Sequence, residues 1–210
     1  EIPMPQIKPI QESVEEGEEN SEGVGLEMKD KVMTLNPLFI SSLEGKMPKE
    51  EVMEALLDHG ITHYTFCPWD FQTHLMIYAE AKKVMGDKEA AKKVANYFID
   101  VVADTHCVKN RSTQIPELHR HLKKGPIQEV LQSLYEKIWG VDLGVSLSKK
   151  ESRTQAEIVR RLMRIPYLDR SRWPESIRKF ARSLKPLIVT EQKEQRGKGG
   201  RGESNPQGDH

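Results

Sequence analysis

The chain has 210 residues, enough for one domain of ordinary size with tails, and its 32 basic and 32 acidic side chains cancel. Neutrality counts against a dedicated nucleic-acid binder, which is normally clearly basic. No apolar run is long enough for a transmembrane helix, and the start EIPMPQIKPIQES lacks the basic head and apolar centre of a signal peptide.

Residues 1–25 include ESVEEGEENSEGVG, acidic and nearly free of large apolar side chains. Such a segment buries too little surface to offset its chain entropy, so an N-terminal tail without fixed structure is expected. KVMTLNPLFI, residues 31–40, then reads as one short strand, with Val32, Thr34, Leu35 and Ile40 extended and Asn36-Pro37 interrupting. Everything after it reads as helix. Pro48, followed by Glu50 and Glu51, opens a helix to about Tyr64. A second covers about 69–84. A third, capped by Asp87, reaches about Cys107. Shorter helices follow at about 116–123 and 126–139. The capping box SKKE, Ser148 to Glu151, opens a helix to about Arg164, and a last one begins near Pro174. The final stretch 190–210 is polar and Gly-rich and reads as a second tail. The expectation is therefore a mainly α domain over 26–189 with a minimal β element.

Within the first long helix stands LLDHGITHY, residues 56–64. At 3.6 residues per turn His59 and His63 share a face, and Val52, Ala55 and Leu56 place that face inward. Two imidazoles one turn apart can reach a single tetrahedral zinc ion. The plainer reading is a pair of ordinary half-buried histidines.

The third helix offers what a metal would need. VANYFIDVVADTHC, residues 94–107, contains no Lys, Arg or Glu and is apolar around its circumference, which is the pattern of a buried helix. Asn96, Asp100 and Asp104 follow one another at i,i+4 as a polar stripe. A buried carboxylate is costly unless it is paired, hydrogen-bonded or bound to metal. Asp100 is placed to bind the ion held by the histidines, and Asp104 to accept a hydrogen bond from the far nitrogen of a ligand histidine. The alternative is that both aspartates pair with basic side chains such as Arg111 or Arg120.

HGITH followed by DVVAD, after a strand, resembles the gluzincin metallopeptidases. It is also similar to the metallopeptidase-like domains associated with von Willebrand A-type proteins in prokaryotes, where an NP segment precedes the histidine helix as TLNPLFI does here. The resemblance covers about residues 30–107. It implies a zincin-like helical core with additional C-terminal helices and one zinc ion. His59, His63 and Asp100 would be its ligands and Asp104 the supporting carboxylate. Two positions depart from the pattern. Asp100 stands where Glu is usual, and Gly60 stands where the motif carries its catalytic Glu. General-base catalysis is typically worth about 10²–10⁴-fold, so the resemblance implies a metal-binding, hydrolase-like domain that is inactive or atypical, a pseudoenzyme. Glycine inside a helix also costs roughly 1 kcal/mol relative to alanine, and close packing against the backbone at Gly60 would account for it.

Other residues stand near this pattern. Asp70 and His74 are one turn apart and read either as a local hydrogen bond securing the helix or as His74 offered as a fourth ligand. Cys67 and Cys107 read as buried cytoplasmic thiols; a mixed Cys/His zinc site would use them, though no C-x-x-C spacing is present. His119 and His121 are two apart, on different faces of a helix, and read as solvated beside Arg120, Lys123 and Lys124.

In the C-terminal third Ile158, Leu162 and Ile165, then Trp173, Ile177, Phe180 and Leu184, form apolar stripes with Arg and Lys opposite. The basic faces are either simply solvated or offered to RNA, to an acidic protein or peptide partner, or to the chain's own acidic N-terminus. A helical protein-interaction module without metal is thus the second functional reading.

Overall fold

The computed structural model describes residues 6–9, 23–27, 32–122, 125–145 and 152–199. Among these the chain is mainly helical, with eight α-helices and a three-stranded sheet, as the patterning predicts. Three strands are found where one was expected. β1 (Gln6–Pro9) pairs parallel with β3 (Val32–Leu35), and β2 (Val24–Glu27) pairs antiparallel with β3 from the other side. β1 and half of β2 fall in the stretch assigned to a tail without fixed structure. A four-residue strand needs only a partner for its backbone, and composition averaged over 25 residues does not reveal it. Residues 10–22, the most acidic part, lie outside the described residues.

A second correction concerns NPLFI. Asn36 ends β3 and caps a helix, its Oδ1 accepting from the amides of Leu38 and Phe39, with Pro37 at the first helical position. This is α1 (Pro37–Ser42), so Ile40 is helical and not extended. The Asn-Pro pair, read as an interruption, is a cap followed by N1 proline.

The long helices fall close to their expected bounds: α2 (Lys49–Thr65), α3 (Phe71–Met85) and α4 (Lys88–Asn110). Asp70 and Asp87 cap α3 and α4, accepting from Thr73 N and Ala90 N. α5 (Ile115–His121) and α6 (Pro126–Trp139) follow, the latter ending at left-handed Gly140. α7 (Ser152–Leu162) comes next; the capping box predicted before it lies outside the described residues. A short 3₁₀ turn, Arg170–Arg172, leads into α8 (Trp173–Gly199), which runs ten residues into the stretch expected to be a tail. Side chains beyond the expected boundary explain part of this: Glu191 pairs with Lys93 and Gln192 bonds Asp87, both at the start of α4.

α4 is the axis of the molecule. It touches α2, α3, α5, α6 and α8. Val94, Phe98, Val101, Val102 and Ala103 are fully buried in it, as its mostly apolar stretch predicts. On one side lies a large apolar cluster built with α3, α6, α7 and α8. A smaller cluster joins α1, α2 and α5 to the C-terminal end of α4. The sheet is tied to α2 by the Tyr64 hydroxyl, which donates to Val32 O at 2.6 Å. No helix among the described residues is long and apolar enough to cross a membrane.

Candidate metal centre

His59 and His63 project from α2 toward α4, where Asp100 and Asp104 lie one turn apart. Asp104 is 2% exposed and accepts at both oxygens: Oδ1 is 2.6 Å from His59 Nδ1 and Oδ2 is 3.1 Å from His119 Nε2. Burial alone would raise the pKa of Asp104. The charges of His59 and His119 and their two hydrogen bonds outweigh burial and hold it well below the usual carboxylate range. Asp104 is therefore a carboxylate, and His59 Nδ1 carries the proton of their bond.

The second histidine is fixed in the same sense. His63 Nδ1 lies 2.8 Å from the carbonyl oxygen of Cys67. A carbonyl only accepts, so Nδ1 of His63 donates. In the neutral imidazoles both Nε2 atoms then present lone pairs, and these face each other at 2.8 Å. Asp100 Oδ1 completes the group at 3.5 Å from His63 Nε2 and 3.9 Å from His59 Nε2. Three acceptors converge, and only a proton or a metal ion relieves that. The donor set fits a metal. From Zn–N bonds of about 2.05 Å, two nitrogens on a tetrahedral zinc stand about 3.3 Å apart. The histidines need to open by only about half an ångström for that geometry. Two carboxylates beside two neutral imidazoles also match a divalent cation in charge. Among the described residues His59, His63 and Asp100 are the three side chains with metal-ligand spacing.

The site is graded in exposure. Asp104 forms its floor, whereas the Asp100 side chain is 40% exposed. This corrects the expectation that the whole aspartate stripe is buried: α4 is covered at Asp104 and emerges at Asp100. An open side is what a ligand-accepting metal site requires and a closed structural site lacks.

The neighbours fall into place as follows. Arg111 pairs with Asp58 at 2.5 Å and Arg120 with Glu117, so neither serves the aspartates. Asp58 is thereby turned from the histidine face and Glu54 is exposed, both in keeping with helical geometry. The Asp70 side chain caps α3 through Thr73 N, so the Asp70–His74 hydrogen bond expected to secure α3 is replaced by an N-cap. His74 stands outside the converging group, although burial and then the nearby His63 lower its pKa. Cys67 contributes its carbonyl and not its sulfur. Burial, followed by the negative charge of Asp100, pushes its thiol pKa up, with Arg170 opposing. Cys107 accepts a 3.2 Å hydrogen bond from Arg111 Nε, away from the histidine pair. Gly60 is buried in mid-helix.

His119 is the residue that sequence reasoning misplaced. Expected in solvent, its side chain is 14% exposed, lies against Tyr135 and Trp139, and donates to Asp104. His121 pairs with Glu117 instead. The available signal was Asp104 itself, a buried carboxylate in search of more than one donor.

Comparison with protein-family models, with curated proteins and with solved structures gave no match for this chain.

Proposed function

We propose that this domain binds one zinc ion through His59, His63 and Asp100, as a metallopeptidase-like domain without the proton acceptor of a working peptidase. The observation that supports it most is the pair of Nε2 atoms facing each other at 2.8 Å while both Nδ1 atoms are committed elsewhere. Zinc in such a site supplies Lewis acidity. The chain's own residues supply the rest. Asp104 fixes the His59 ring and its tautomer, and the Cys67 carbonyl does the same for His63. Asp100 sits at the rim, where a small molecule or extended peptide has access from solvent. Gly60 offers no group to accept a proton, and Asp58 is occupied by Arg111. Function therefore lies in holding the metal or a metal-bound partner, with hydrolysis slow or absent.

Elemental mass spectrometry of the purified full chain tests the reading. The expected result is near one zinc per chain, lost in His59→Ala. A folded protein without metal would overturn it. The aspartates and histidines would then be a hydrogen-bonded network in a helical interaction module.

A further inference from the structure

We propose that Arg170, a hundred residues away in sequence, is a positioning residue for this site: it clamps the α2–α3 loop whose Cys67 carbonyl orients His63. The inference rests on the zinc reading for its functional meaning. The orienting carbonyl belongs to a five-residue connection, Phe66 to Asp70, between α2 and α3. A carbonyl on a free loop would not fix a ring, so something must hold the loop.

Arg170 does so from the 3₁₀ turn before α8. Its guanidinium carbon lies 4.5 Å from the Phe66 ring centre and 4.4 Å from that of Trp69. The two rings bracket Cys67 and Pro68, so one planar cation spans the loop at both shoulders. Cation–π attraction and stacking both favour guanidinium over ammonium here. The remaining sides are closed too. His106 of α4 stacks on Phe66 at 3.6 Å, and Trp173 meets Phe66 and Trp69 at 5.8 and 5.7 Å. Trp173 is itself anchored by its indole N–H, which donates to Tyr167 O. Trp69 has φ +48°, a conformation a bulky residue keeps only where its surroundings enforce it. Its amide donates to His63 O at 2.9 Å, which closes the loop back onto the histidine residue. The C-terminal segment thus reaches the site by contact with the loop.

The test compares the full-length wild type with Arg170→Ala, Arg170→Lys and, as a control, Arg172→Ala, whose parent side chain pairs with Glu175 of α8. Two readouts are taken at fixed pH. The first is the tautomer of the His63 imidazole in metal-free protein, from its ring nitrogen NMR shifts. The second is the zinc Kd from competition with a chromophoric chelator, with the cobalt d–d spectrum alongside. Arg170→Ala should mix the His63 tautomers, shift the cobalt band and weaken zinc binding by about tenfold, the low end for a group that orients a ligand from outside. Arg170→Lys should fall close to Ala, since ammonium does not stack, and Arg172→Ala should match wild type. Unchanged His63 tautomer and zinc Kd in Arg170→Ala would overturn the clamp. Should wild type bind no zinc, the zinc reading fails separately, and the tautomer comparison alone decides the clamp. Arg170 is exposed, so its variants are expected to fold; were Ala not to fold, Lys carries the same comparison.

Discussion

α4 has two sides, and they differ in what they are for. Against α3 and α8 it presents Ala91, Val94, Ala95, Phe98 and Val102, all buried among apolar neighbours. Against α2 it presents Asp100 and Asp104, facing two histidines. The apolar side gains free energy from every contact it makes. The polar side consists of groups whose desolvation is costly and is offset only where each acceptor meets a donor. The acceptors at Asp104 are all met. The two Nε2 atoms instead face each other at 2.8 Å beside Asp100, and the proposed zinc site rests on that arrangement.

Mutations on the two sides should therefore separate. The largest effect on stability is expected from the apolar side. Phe98 is fully buried, with Phe180 at 5.5 Å and Tyr167 at 6.1 Å. Phe98→Ala should cost about 3–5 kcal/mol in denaturant unfolding, yet leave zinc per folded chain unchanged. An equal loss of zinc from the folded fraction would show that the two sides are not independent.

His63→Ala should do the reverse and abolish zinc binding. In wild type, free zinc at a hundredfold excess over Kd should add about 2.7 kcal/mol of stability. Thermal melts with and without chelator should show that increment in wild type and none in His63→Ala. A chelator-sensitive melt in the variant would remove His63 from the ligand set.

Asp104→Asn is subtler, because the amide keeps shape but has one acceptor oxygen for two histidine donors. Zinc affinity should fall about 10–100-fold, measured by chelator competition. His119→Gln alters the outer bond to Asp104 and the ring contacts with Tyr135 and Trp139 but no proposed ligand, and should weaken zinc binding less than Asp104→Asn. Its stability cost should be about 1 kcal/mol, that of one hydrogen bond. If His119→Gln exceeded Asp104→Asn, His119 would have a role of its own at the site.

Much of this was legible in the chain. The spacing of His59 and His63, and of Asp100 and Asp104, placed each pair on one helix face. The stretch around Phe98, without Lys, Arg or Glu, marked the central helix. What was not legible depended on distant partners. Nothing local distinguishes His119, which packs against Tyr135 and Trp139 and reaches Asp104, from His121, two residues on. Nor does the sequence around Cys67 announce that its carbonyl, and not its sulfur, faces His63. β1 and β2 were hidden because strands of four residues draw their stability from β3 and not from their own composition.

The sequence by itself determined the helices, their inward faces and the residue types available for a metal, because these follow from periodicity and capping within a few turns of chain. Only the tertiary structure decided that α2 and α4 lie together with both Nδ1 atoms engaged. It decided equally that the loop after α2 is held by Arg170 from the far end of the chain. The His59–Asp104 bond joins residues 45 apart, and Arg170 meets Phe66 from more than a hundred residues on. Such contacts are set by how whole helices pack, which no local pattern encodes.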